Sequence, residues 1–258
     1  PWDDKKRELK YVEDYRPQKD GVQHLRILLH GPVGAGKSSF INSVDNVLRD
    51  RITGRPLAEA NANESFTKKV WILFIPGNFY PFVFNDTMGL ERKENRGVHP
   101  EDIKLALKGH MKDGYTVKLM HYFNSEYSLG IKNDKVQVLV CVAPADKIRL
   151  LTKDHVKKMK DIRRTASDLG KRIPQLAVLT RIDLACPEIK KDLKNVYKSK
   201  NLEETMQKFS DLVGIPMNCV FPVKNYNKET TINDDVDSLI LMTRPVVSLM
   251  ASEAVSDR

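Results

Sequence analysis

The octapeptide Gly31-Pro32-Val33-Gly34-Ala35-Gly36-Lys37-Ser38 narrows the fold of this chain more than any other stretch. It meets the pattern G-x-x-x-x-G-K-[ST] at every fixed position. The apolar, strand-like run Leu25-Arg26-Ile27-Leu28-Leu29-His30 precedes it, and residues 39–48 follow with apolar side chains at helical spacing. A strand, a glycine-rich turn and a helix in that order form an anion site. Backbone N–H groups of Gly34, Ala35, Gly36, Lys37, Ser38 and Ser39 converge on phosphate oxygens, and the helix N-terminus adds partial positive charge. Lys37 then reaches the β- and γ-phosphates, and the Ser38 hydroxyl is a ligand for Mg²⁺. A glycine turn that binds nothing is the competing reading, and the matching flanks weigh against it.

The rest of the chain reads as alternating strands and helices. The 258 residues are enough for one large α/β domain. Strands are expected at 23–30, 69–75, 79–85, 136–142, 175–179 and 219–223, and helices at 38–51, 100–111, 152–169, through 212 after the fifth strand, and at 235–250 with a break at Pro245. Pro76-Gly77-Asn78 is a turn signal that makes the second and third strands a hairpin. Residues 53–66 read as an exposed loop, and 112–135 as an insertion with little regular structure. Residues 1–22 read as a polar leader or linker, and 23–254 as the phosphate-loop domain. Alternation of this kind predicts a three-layer α/β domain with a mostly parallel sheet, whose ligands bind at the C-terminal ends of strands.

Two further motifs fall at such ends. Asp86-Thr87-Met88-Gly89 has the form D-x-x-G after an apolar strand. Asp86 is placed to hold Mg²⁺, and the Gly89 N–H to meet a γ-phosphate. Thr180-Arg181-Ile182-Asp183 follows the strand at 175–179 and stands where [NT]-K-x-D selects guanine. The Asp183 carboxylate accepts two hydrogen bonds from guanine N1–H and its amino group, a pair that adenine does not offer. Arg181 lays its aliphatic stem along the base, and Lys224, after the last strand, supplies a backbone N–H to the guanine oxygen. Thr53, Ser65 and Thr67 are candidates for the first-switch ligand of Mg²⁺ and γ-phosphate, with Thr67 favoured because it precedes a strand.

Composition excludes other classes. No apolar run approaches the roughly 20 residues that cross a bilayer. The N-terminus has no apolar signal-peptide segment, and because it starts at Pro1 the chain reads as a fragment or processed form. Cys141, Cys186 and Cys219 have neither metal-ligand nor disulfide spacing, so a reducing compartment, cytosol or nucleus, is expected. The six histidines have no ligand spacing either. The net charge of +9 is spread over lysine-rich helices, including a face of Lys153, Lys157, Lys160 and Arg164. A solvated basic surface explains this better than nucleic-acid binding.

On the phosphate loop with Ser39-Phe40, Asp86-Thr87-Met88-Gly89-Leu90, Leu179-Thr180-Arg181-Ile182-Asp183 and Gly214-Ile215-Pro216, the chain resembles the interferon-induced protein 44 family, including its 44-like members. Pro1-Trp2 and Tyr15-Arg16-Pro17 resemble the segment before that family's GTP-binding domain. The resemblance implies the fold of Ras-like and dynamin-like GTPases: a six-stranded sheet with one antiparallel edge strand. It also implies GTP or GDP with Mg²⁺ as ligands, a cytoplasmic location, induction by interferon and an antiviral effect. Implied partners are guanine nucleotide, an unidentified protein and, as in dynamin-like relatives, a second copy in a nucleotide-dependent homodimer.

Two departures bear on turnover. Leu90 stands where efficient GTPases place a water-orienting Gln, and Val33 where Ras-like proteins leave room for an arginine finger. The sequence therefore supports a slowly hydrolysing GTP-binding domain, with a nucleotide-stabilised scaffold of innate immunity that hydrolyses essentially nothing as the alternative.

Overall fold

The computed structural model describes residues 5–15, 25–53, 69–75, 78–87, 89–90, 100–107, 116–119, 136–169 and 173–243. Thr67 and Ser65, most of the 112–135 segment, and the part of the expected last helix beyond Thr243 lie outside the described residues.

The strands are β1 (Leu25–His30), β2 (Lys69–Ile75), β3 (Asn78–Asp86), β4 (Thr116–Leu119), β5 (Val138–Pro144), β6 (Gln175–Thr180) and β7 (Val220–Pro222), in one sheet of order β4-β2-β3-β1-β5-β6-β7. Five of them, β3, β1, β5, β6 and β7, run parallel. β2 is antiparallel to β3, as the hairpin reading requires. The expected count and edge are corrected, however. The sheet has seven strands, and β4 pairs parallel to β2 outside it, so β2 is internal and two strands oppose the other five. Thr116-Val117-Lys118-Leu119 offers only four alternating residues within a polar stretch, too few for periodicity to register.

The central strands are buried on both faces. β1 and β5 are buried at every residue, as expected of parallel strands between helix layers. The helices are α1 (Lys5–Asp14), α2 (Lys37–Leu48), α3 (Pro100–Leu107), α4 (Lys153–Asp168), α5 (Ile182–Ala185), α6 (Pro187–Lys191), α7 (Lys200–Val213) and α8 (Asp234–Leu241). Local chemistry sets their starts. The side chains of Thr152, Ser199 and Asn233 accept hydrogen bonds from the backbone N–H groups of His155, Leu202 and Val236 at the heads of α4, α7 and α8. Acidic Asp234, Asp235 and Asp237 occupy the first turn of α8, where the helix dipole favours them. On α4 the buried residues are His155, Met159, Ile162 and Ala166, while Lys153, Lys157, Lys160 and Arg164 lie outside that buried face.

The leader segment contributes α1, which docks on α8 and on the turn after α2. Lys5 Nζ lies 2.7 Å from buried Asp237, 2.8 Å from Asp50 and 3.0 Å from Asp234. Burial alone would lower the Lys5 pKa, but hydrogen bonds to Asp237, Asp50 and Asp234 outweigh it and hold the ammonium above its ordinary range. Tyr226 shares the same carboxylate, its hydroxyl donating to Asp237 Oδ1 at 2.6 Å.

His30, at the end of β1, is fully buried opposite Cys141, and burial, then the charge of Lys37, pushes its pKa down to about 3. A folded-state pKa below the unfolded 6.5 contributes stability that is present above pH 6.5 and lost as the pH falls toward 3. Between pH 7.5 and pH 5 this site should cost the wild-type protein about 2 kcal/mol. Chemical denaturation at the two pH values should therefore show a loss about that much larger in the wild type than in His30→Leu. An equal loss in both would mean that His30 takes up its proton in the folded state.

Candidate functional site

The loop from His30 to Lys37 joins β1 to α2 at the point where the sheet order diverges to either side of β1, which is where open α/β sheets bind ligands. Lys37 is buried, and its Nζ donates to the carbonyls of Gly31 at 3.3 Å and Pro32 at 3.2 Å. Burial lowers its pKa, and the charge of Asp86 pulls the other way. A desolvated ammonium held by two carbonyls, with a carboxylate nearby, is well placed to meet phosphate oxygens.

Two of the three residues expected to hold Mg²⁺, Ser38 and Asp86, are brought together. Asp86, at the end of β3, is in register with Leu29 of β1, and Ser38 lies in the first turn of α2. The Ser38 hydroxyl donates to Asp86 Oδ2. A hydroxyl and a carboxylate converging beside the phosphate loop are hard oxygen donors of the kind Mg²⁺ takes, so the residues fit that ion.

The D-x-x-G segment is zipped onto the phosphate loop. Leu90 N–H donates to the Gly31 carbonyl at 2.9 Å, Val33 N–H donates to the Leu90 carbonyl at 3.4 Å, and Pro32 and Leu90 form a parallel bridge. Leu90 is completely buried, so its side chain belongs to the core. Gly89 packs so closely that a Cβ there would lie 2.4 Å from Val33 Cα and 2.5 Å from Val33 N.

At the end of β6, Thr180 is buried, and its hydroxyl donates to the Ala35 carbonyl at 2.6 Å. Arg181 has a left-handed backbone, φ 60°, and its guanidinium pairs with Asp146 Oδ2 at 3.2 Å. Asp183 follows in the first turn of α5, half-buried and with no hydrogen bond or ion pair among the described residues. Lys224 Nζ is held by Glu229 Oε1 at 2.7 Å. Burial alone would raise the Glu229 carboxyl, but the hydrogen bond and charge of Lys224, together with backbone hydrogen bonds at Asn227 and Glu229, hold it down at about 2. Asn225 Nδ2 donates to the Gly36 carbonyl at 3.1 Å.

Sequence reasoning missed Asp146 and the side chain of Asn225. Both lie just past the C-terminal ends of strands, β5 and β7, and that position was the only signal available. Of the three first-switch candidates, Thr53 is set aside. Its backbone and hydroxyl both donate to Asn46 Oδ1 at the far end of α2, roughly 15 Å of helix from the phosphate loop. Thr67 and Ser65 lie outside the described residues.

No family model matches the chain. It is 30% identical over 257 residues to interferon-induced protein 44 of Mus musculus, an alignment that covers 96% of this chain and 60% of that protein. It is 31% identical over 239 residues to interferon-induced protein 44-like of Homo sapiens, covering 89% of this chain and 52% of that protein.

The chain is a relative of the interferon-induced 44 and 44-like proteins.

It spans about half to three-fifths of the length of these curated relatives. Among solved structures, it matches a chain from work on the chloroplast translocon components atToc33 and psToc159, for whose GTPase activity dimerization is important. The TM-score is 0.52 at 16% identity, covering 97% of this chain and 90% of that one. That likeness concerns the fold, a phosphate-loop GTPase-like α/β domain, and it agrees with the five parallel strands and flanking helices.

The Gly89 contact yields a test of the site's geometry. Because the clash is with the Val33 Cα and N as well as with its Cγ2, Gly89→Ala should lower the melting temperature by roughly 4–8 °C, for a loss of about 2 kcal/mol. Adding Val33→Ala should not restore it, since the offending Cα and N remain. Recovery in the double variant would place the clash on the Val33 side chain instead.

Proposed function

We propose that the chain is a guanine-nucleotide-binding domain that takes GTP or GDP with Mg²⁺ and turns GTP over slowly. The observation that carries this reading is the hydrogen bond of 2.6 Å from Thr180 to the Ala35 carbonyl. It ties the turn that presents Asp183 directly to the phosphate loop, so base selection and phosphate binding form one rigid unit. Gly34, Ala35, Gly36, Lys37, Ser38 and Ser39 cradle the phosphates, and Lys37 answers their charge. Asp183 reads guanine, the stem of Arg181 lies along the base, and Lys224 offers its backbone N–H.

Ser38 and Asp86 would hold Mg²⁺, with Thr67 of the first switch as the third protein donor. The ion supplies compensation for the charge on the phosphates. Gly89 offers its N–H to the γ-phosphate. The relation to interferon-induced proteins supports a role in an interferon-induced antiviral response in the cytoplasm. The importance of dimerization for GTPase activity in the translocon components supports a nucleotide-dependent homodimer. A second reading, a nucleotide-stabilised scaffold with essentially no hydrolysis, is favoured by one observation. Leu90 is sealed in the core, so the position that orients water elsewhere does not face the phosphates here.

The nucleotide assignment predicts that GTP and GDP bind with Mg²⁺ and ATP far more weakly. Lys37→Ala should weaken phosphate binding by about tenfold or more, and Asp183→Asn should erase the preference for guanine. Titration of GTP, GDP, ATP and ADP against the wild type and both variants decides this, and equal affinity of the wild type for ATP and GTP would sink the base assignment.

The turnover assignment predicts slow single-turnover hydrolysis of bound GTP at low protein concentration. If a second copy contributes a group, the rate should rise with concentration. A fast rate independent of concentration would reveal a catalytic residue within the single chain.

A further inference from the structure

Asn225 does something that neither a turn residue nor a guanine contact requires. The segment around it is fixed from three directions. Val223 N–H donates to the Leu179 carbonyl at 2.8 Å, Tyr226 N–H donates to Ser43 Oγ at 2.9 Å, and the Tyr226 hydroxyl is held by buried Asp237 at 2.6 Å. With its neighbours pinned to β6, α2 and α8, Asn225 has its side chain pre-aimed. Its Nδ2 donates to the Gly36 carbonyl at 3.1 Å, an oxygen that already accepts the Phe40 N–H at 2.8 Å.

The peptide plane explains what this contact does. In a trans peptide the carbonyl and the following N–H point in opposite directions. Thr180 holds the Ala35 carbonyl, which fixes the Gly36 N–H. Asn225 holds the next carbonyl, that of Gly36, which fixes the Lys37 N–H. These are two consecutive donors of the phosphate cradle, each aimed by a side chain that arrives from the base end of the site. Gly36 itself is wedged between the two anchors. At φ 87°, a Cβ there would stand 3.0 Å from Asn225 Nδ2 and 3.4 Å from Thr180 Oγ1. The other end of the Asn225 amide argues against a purely structural role. Its Oδ1 is buried with no hydrogen bond among the described residues, and an amide installed only to fasten a loop would have both ends satisfied.

We propose that Asn225 is a positioning residue for phosphate binding: through the Gly36 carbonyl it orients the Lys37 N–H toward the β-phosphate and couples the base-reading loop after β7 to the phosphate loop. The proposal rests on the reading of the site as a guanine-nucleotide site. Because Asn225 acts on the donor that faces the β-phosphate and not on the base, its removal should be felt alike by GDP and GTP, which carry that phosphate, and little by GMP, which does not.

The test compares GDP and GMP binding to the wild type, Asn225→Ala and Asn225→Asp, with melting temperature measured alongside. Asn225→Asp keeps the side chain's volume, removes the donor and sets a carboxylate oxygen against the Gly36 carbonyl, so it reads the donor even if Asn225→Ala disturbs the loop. Expected is a loss of about tenfold for GDP in Asn225→Ala and at least as much in Asn225→Asp, with GMP weakened less than about threefold. The ratio of GDP to GTP affinity and the preference of GDP over ADP should be unchanged. Unaltered GDP affinity in both variants, or equal losses for GMP and GDP, would overturn the positioning role while leaving the guanine-nucleotide reading intact. Failure of the wild type to bind GDP at all would overturn that reading and this inference with it.

Discussion

Burying the ammonium of Lys37 is the constraint around which the site is built. A lysine taken out of water is costly unless its surroundings answer the charge. Here the carbonyls of Gly31 and Pro32 accept from it, and Asp86 stands close enough to oppose the fall in its pKa. Those two carbonyls lie in the segment that Leu90 pairs with, and Asp86 is presented by β3, the strand in parallel register with β1. The charge therefore ties together β1, β3, the phosphate loop and the D-x-x-G segment. Nearby His30 pays for the arrangement, since burial next to a cation leaves it neutral far below its ordinary range.

The strands were legible where they are long and apolar. β1, β5 and β6 are predominantly apolar runs, buried at all or nearly all positions between helix layers, and their ends fell within two residues of the expected places. β4 was not legible, because four alternating residues amid polar sequence carry no period and its existence depends on β2 as a template. α1 was missed for a related reason. Its Lys5-Lys6-Arg7-Glu8 start reads as polar linker, and what makes it a docked helix is tertiary: the ion pair with buried Asp237, Val12 in the core, and Tyr15 stacked on Phe82 with ring centroids 5.7 Å apart.

In the site, the motifs located the loops, but the ties between them were not legible. Thr180 reads from sequence as the head of a base-recognition turn, yet its hydroxyl is spent on the phosphate loop. Asp146 carries no motif, and its relation to Arg181 is a contact across adjacent strand ends, visible only when β5 and β6 pair. Leu90 was read as the replacement of a catalytic side chain. The structure gives it a different task, since its backbone completes the phosphate loop and its side chain fills the core. The position is thus structural first, and a glutamine there would bury an amide without guaranteeing it a route to the phosphates.

The Arg181–Asp146 pair also bears on why an arginine is tolerated where a lysine is usual. A lysine head in that position is a compact charge able to seek carbonyls of the phosphate loop, whereas a guanidinium is planar and needs a carboxylate or an equally flat acceptor to settle. Asp146, just past the end of β5, provides one at 3.2 Å, while the Ala35 and Gly36 carbonyls accept from Thr180 and Asn225. Two neutral side chains hold the loop carbonyls, and the ion pair with Asp146 holds the Arg181 guanidinium. With the Ala35 and Gly36 carbonyls held by neutral donors, the Arg181 charge is answered by Asp146 across the adjacent ends of β5 and β6.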